Sequence, residues 1–138
     1  MKHFESQIRL HKWQVDEAQR RLAELLRLEE RLRDDLDRLE REKIAEQAAA
    51  GSSFEASLTY DAYAAQLVER RHKLNRSIAE VAEQVTQARD ALKDSFAELK
   101  KFELAAEAAA ERARKRQGKR EQDQQDEVGL GIFRRRVE

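Results

Sequence analysis

Apolar residues recur every three and four positions along two stretches of this chain, on either side of one small polar break, Gly51-Ser52-Ser53. The first stripe takes in Ile8, His11, Val15, Ala18, Leu22, Leu25, Glu29, Leu32, Leu36 and Leu39. The second takes in Tyr60, Ala64, Leu67, Arg71, Leu74, Ile78, Val81, Val85, Ala88, Leu92, Ser95, Leu99, Phe102, Ala106, Ala109 and Ala113. With 3.6 residues to a turn, that spacing puts each set on one side of an α-helix. Stripes this narrow are the seam of a coiled coil, not the broad apolar face of a helix in a globular core. Two such helices joined by one short break fold back on each other. The pattern predicts an all-α chain: a long antiparallel two-helix coiled-coil hairpin with a longer second helix.

Local signals set the expected boundaries: helix 1 over about 4–50, a turn at 51–57 and helix 2 over about 58–117, so that residues 1–117 form the hairpin. Gly51 suits the left-handed position that closes a helix. Ser52 and Glu55 have capping-box spacing, with Ser57 and Thr59 as competing caps. Residues 118–138 change character: Arg112 to Arg120 is basic, Glu121 to Glu127 acidic and glutamine-rich, and Arg134-Arg135-Arg136 basic again. With Gly118, Gly129 and Gly131 interspersed, they read as a charged, flexible tail. A bend near 51–55 sets Ile8 against Phe96 to Lys100 and leaves Phe102, Ala106, Ala109 and Ala113 without a partner in this chain. It brings Glu29 within a turn or two of Arg71, where an ion pair can form.

Composition narrows the function more than the fold. Of 138 residues, 41% are charged and none is proline or cysteine, so there is no disulfide and no thiolate metal site. Lys plus Arg equals Asp plus Glu at 28 each, which argues against a general polyanion binder dependent on counterion release. The basic run Arg112 to Arg120 has no interleaved aromatics and is followed at once by acid, so no nucleic-acid partner is expected. No apolar run approaches the ~18 residues of a membrane span, and the first residues lack the apolar core of a signal peptide. The expectation is a cytoplasmic protein with no direct membrane insertion.

Catalysis has no foothold in the sequence. Three histidines lie far apart, no metalloprotease, phosphate-loop or nucleophile-elbow motif occurs, and the many carboxylates sit on a solvated helix surface that cannot tune a general acid. His11 on the seam reads as a packing residue, not a metal ligand. No enzyme activity, cofactor or metal is expected. Opposite charges four apart (Asp16/Arg20, Glu17/Arg21, Asp34/Arg38, Asp37/Arg41, Glu69/Lys73, Glu111/Lys115) read as a solvated helix face.

The few aromatics cluster instead. Phe54, Tyr60 and Tyr63 surround the bend, while Phe4, Trp13, Phe96 and Phe102 collect at the open end of the folded hairpin. They either plug the fraying ends of the seam or form docking patches, and Trp13, lying beside the seam instead of in it, favours docking.

Ile8-Arg9-Leu10-His11-Lys12-Trp13 followed by Asp16 and Glu17 resembles the N-terminus of FliJ-type proteins, the stalk components of the bacterial flagellar type III export apparatus. Leu99-Lys100-Lys101-Phe102-Glu103 resembles that family's Leu-Lys-Lys/Arg-aromatic-Glu segment, and Asp126-Glu127 before an arginine-rich end is a weaker match. The likeness implies a coiled-coil stalk that binds and stimulates the hexameric flagellar export ATPase and links it to the cytoplasmic region of the export gate. It also implies binding of export chaperones, at the cytoplasmic face of the flagellar basal body. Matched by segment, Arg9, Lys12, Trp13, Lys100, Lys101, Phe102 and Glu103 would touch the ATPase. Matched only by position near the bend, Tyr60, Tyr63 and Leu67 would touch the gate. Gly129-Leu130-Gly131-Ile132-Phe133 departs from the family pattern. Two alternatives stand beside this reading: a self-associating structural coiled coil, or the equivalent stalk of a virulence type III secretion system.

Overall fold

A computed structural model of the protein describes residues 2–137, and the side chains of 4–137; Met1 and Glu138, which end the expected hairpin and tail ranges, lie outside them. Two helices account for nearly everything described: α1, Lys2–Ala50, of 49 residues, and α2, Phe54–Val137, of 84 residues. They contribute to two compact units, one of Val15–Asp94 and one of Met1–Gln14 with Ser95–Glu138.

The Val15–Asp94 unit contains the turn and most of the core. Leu25, Val81, Val85 and Ala88 are buried against one another, with Leu22, Leu28 and Leu32 packed on them. Val15, Leu39 and Leu67 are also buried. Nearer the turn, Arg71 Nε lies 3.0 Å from Glu40 Oε1, and Arg70 Nη1 lies 3.9 Å from Glu42 Oε2. As positions fall along α1 from 42 to 25, their partners climb along α2 from 70 to the 80s, so this unit is an antiparallel helical hairpin. Each of these buried residues belongs to one of the two apolar stripes.

The turn differs from the expected one. α2 begins at Phe54, not near 58, because Ser53 is the cap: its hydroxyl accepts from the Ala56 amide at 3.0 Å, and the Ser57 amide donates to the Ser53 carbonyl at 3.1 Å. Ser52 serves the other helix. Its amide and hydroxyl donate to the Ala49 carbonyl at 3.2 and 2.7 Å, satisfying the end of α1. Thr59 lies inside α2, its hydroxyl donating to the Glu55 carbonyl. Gly51 is not left-handed: no glycine among the described residues has positive φ, and a Cβ on Gly51 would meet only the Ala48 carbonyl oxygen, at 3.7 Å.

In the unit of Met1–Gln14 and Ser95–Glu138, the rings of His11 and Phe102 stack with centroids 4.5 Å apart and planes 20° from parallel, beside buried Leu99. Phe102 therefore has a partner within the chain, and the pairing falls about one and a half to two and a half turns further along α2 than a bend-centred register puts it. Side-chain direction contributes part of this shift. Every Cα–Cβ bond leans toward its helix N-terminus, away from the bend on α1 and toward it on α2. Contacting tips thus come from positions further along α2 than the backbone positions facing each other.

Two further expectations change. Glu29 pairs with Arg33 at 3.6 Å, not with Arg71, whose partner is Glu40, about three turns nearer the bend. Beyond residue 117 the helix continues through Gly118, Gly129 and Gly131 to Val137. Those glycines cost propensity, but no proline is present, strong helix formers flank Gly118, and nothing within 4 Å crowds any of the three.

Candidate docking surfaces

The residues matched to the ATPase lie together in the unit of Met1–Gln14 and Ser95–Glu138. Arg9, Lys12 and Trp13 come from the first turns of α1, and Lys100, Lys101, Phe102 and Glu103 from α2; the His11–Phe102 stack fastens the two segments side by side. Arg9, Lys12, Lys100 and Lys101 are exposed, while Phe102 and Glu103 are half-buried. Trp13 is 59% exposed, which removes it from the seam and leaves most of the indole to a partner. The exposed side chains here are basic and apolar together: four cations and an open indole, with Leu10, Phe96 and Leu104 also exposed. The Nδ1 atom of His11 is shielded and has no hydrogen-bond partner in this arrangement. Sequence reasoning missed Leu10 and Leu104. The available signal was their position, since both are large apolar residues outside the three-and-four stripe.

The residues assigned to the gate lie near the turn, in the Val15–Asp94 unit. Tyr60 and Tyr63 are half-buried, but Leu67 is only 4% exposed and belongs to the seam. It forms the floor of a groove of about 300 Å³ between the arms, walled by Leu39, Lys43, Tyr60, Ala64 and Val68. Around the turn, Ile44, Phe54, Leu58 and Val68 are strongly exposed, and only Phe54 among them was singled out by the aromatic pattern. The Tyr63 hydroxyl is shielded. Its pKa is pushed from 10.0 to about 12, first by hydrogen bonding to the Glu42 carboxylate, then by desolvation and the charges of Glu42 and Glu46, with Arg70 opposing. Within strict hydrogen-bond geometry the Tyr63 hydroxyl has no partner in the static structure.

Among the described residues no group of three or more His, Cys, Asp or Glu side chains is placed to hold a metal ion. No described helix is long and apolar enough to cross a membrane. The arrangement is suited to recognition by helix surfaces.

A search of curated proteins and of solved structures gives no match. A family model described as flagellar FliJ protein matches residues 1–138, the whole chain. The two lysine- and aromatic-bearing segments that resemble this family are the ones the His11–Phe102 stack holds together. The chain belongs to the flagellar FliJ family, the stalk proteins of the flagellar type III export apparatus.

Proposed function

We propose that this chain is a non-enzymatic stalk that binds and stimulates the hexameric flagellar export ATPase. The contact is the surface of Arg9, Lys12, Trp13, Lys100, Lys101, Phe102 and Glu103. One observation carries the reading: a mostly exposed Trp13 and exposed cations from both helices belong to the unit in which Phe102 stacks on His11. Aromatic and arginine side chains are the usual anchors of interfaces, and clustered lysines steer an acidic partner toward them. Tyr60 and Tyr63, over the Leu67 floor, contact the cytoplasmic region of the export gate. Export chaperones are further partners, and the protein works at the cytoplasmic face of the basal body.

The test is ATP hydrolysis by the cognate hexamer with and without this protein. Wild type raises the rate, and the variant Trp13→Ala/Lys100→Ala/Lys101→Ala, with helicity retained, does not. Full stimulation by that variant sinks the assignment.

A further inference from the structure

Beyond Phe102, α2 exposes a second face that neither the seam nor the proposed ATPase surface uses in full. Leu104, Leu130, Phe133 and Val137 are 52%, 56%, 65% and 70% exposed. Leu104 follows Phe102 by two residues, which at about 100° per residue puts it on the opposite side of the helix from the His11 stack. Eleven residues complete three turns, so Leu104, Lys115, Asp126 and Val137, each eleven apart, line up along one edge. Ala108, Lys119 and Leu130 form the next row at the same interval.

This face is complementary to itself when reversed. We propose that two copies of this chain associate antiparallel through residues 104–137 of α2, with the two-fold axis between Arg120 and Glu121. In that register Leu104 meets Val137 of the partner subunit, and Ala108 meets the partner's Phe133, closing an apolar clasp at each end. At the centre Lys115 meets the partner's Asp126, and Lys119 meets the partner's Gln122. Symmetry makes every layer occur twice. The overlap is about 50 Å long at 1.5 Å per residue. Glu111 opposite the partner's Leu130 is the weakest layer, and Glu111 is already drawn aside by a hydrogen bond from Arg114 Nε at 3.1 Å.

Charge excludes a slip of this register in one direction, and the apolar layers oppose a slip in the other. A slip of one turn in one direction sets Asp126 against the partner's Glu111, two like charges. A slip the other way keeps an ion pair, Lys119 with the partner's Asp126, but sets Lys115 against the partner's Leu130 and separates Phe133 from Ala108. Ion pairs of this kind fix orientation and register along helix pairs while apolar layers supply affinity. The face lies opposite the Phe102 stack, so a second copy covers it without displacing α1.

Charge exchange tests the inference on the full chain. In sedimentation equilibrium, wild type exchanges between monomer and dimer within a range of about 1 µM to 1 mM. Lys115→Asp puts an aspartate opposite Asp126 twice and weakens association about tenfold or more; Asp126→Lys does the same with a lysine opposite Lys115. Mixing the two single variants restores a dimer. The aspartate introduced at 115 then meets the lysine introduced at 126, and the unchanged Lys115 of one copy meets the unchanged Asp126 of the other. Phe133→Ala weakens association without changing helicity. A wild type that stays monomeric throughout the range overturns the proposal, as do single variants that dimerise as tightly as wild type. Monomeric protein that sediments with phosphatidylserine vesicles through its arginine-rich end also overturns it and reassigns the face to a lipid surface.

Discussion

Among the described residues, the unit around the turn buries seven apolar side chains and the unit holding the rest of the chain buries one, while both leave large apolar residues in water. Within Val15–Asp94 the seam is filled by Val15, Leu25, Leu39, Leu67, Val81, Val85 and Ala88, all buried. In the other unit Leu99 is the buried hydrophobic among the described residues, and Trp13, Phe96, Leu104, Phe133 and others stand in water. Burying a Leu or Val side chain is worth roughly 1.5–3 kcal/mol. The first unit thus has a core of its own, and the second has far less buried apolar surface to hold it together. The second also replaces aliphatic layers by alanines and one His–Phe stack, which lets the helices pack but supplies less transfer free energy.

Truncation tests that contrast most directly. Leu25→Ala empties a position packed against Val81, Val85 and Ala88, and should cost about 2–5 kcal/mol in urea unfolding. Phe102→Ala removes a half-buried ring and its stack on His11, and should cost about 1–2 kcal/mol. Its effect should be local: faster amide exchange near 95–113 with little change at 81–88. Equal global losses from both variants would mean that the two units unfold as one.

The cap gives the next effect. Ser53→Ala should cost about 1 kcal/mol, and Ser57→Ala close to nothing. Equal losses, read from the shift in thermal midpoint, would move the start of α2 back toward Ser57. Smaller still is Arg71→Ala, which breaks the pair with Glu40 while both side chains remain partly in water. It should cost about 0.2–1 kcal/mol, less as salt is added. A loss that ignored salt would show that Arg71 acts through its packed stem.

Tyr63 offers the finest probe of the turn. Its pKa is raised from 10.0 to about 12, so the folded state favours the neutral phenol. That contribution is complete below about pH 10 and is lost as pH rises through about 12. Ultraviolet titration in a Tyr60→Phe background should show ionisation near pH 12. Glu42→Gln should bring it back toward 10.0. No change on that substitution would remove Glu42 as the chief cause.

The seam could be read from sequence because spacing alone determines which residues share a side of a helix; every buried residue, from Val15 to Leu99, stood on one of the two stripes. Side-chain reach could not be read that way. The lean of Cβ toward each N-terminus moves contacts along α2, which is part of why Phe102 meets His11 and Arg71 meets Glu40. Cap choice was hidden for another reason: Ser52 and Ser53 are adjacent and chemically alike, and only the Ala49 carbonyl shows which helix each serves. The glycines of residues 118–131 suggest a helix end, yet α2 runs through them to Val137, since their cost is small where nothing packs on them. Around the candidate sites, Trp13 was visible because it lay off the stripe. The buried state of Leu67 was also implied by its stripe position.

The turn has one further consequence. Between Ala50 and Phe54 only three residues interrupt two strongly helical segments, and the interruption rests on a few hydrogen bonds from Ser52 and Ser53. No left-handed glycine or proline enforces it. Replacing all three by alanine would fuse the arms into one continuous helix and forbid the fold-back. The seam around Leu25 and Val85 would then close only by exchange of arms between molecules, a domain swap. Doubling of the sedimenting mass with helicity preserved would reveal it.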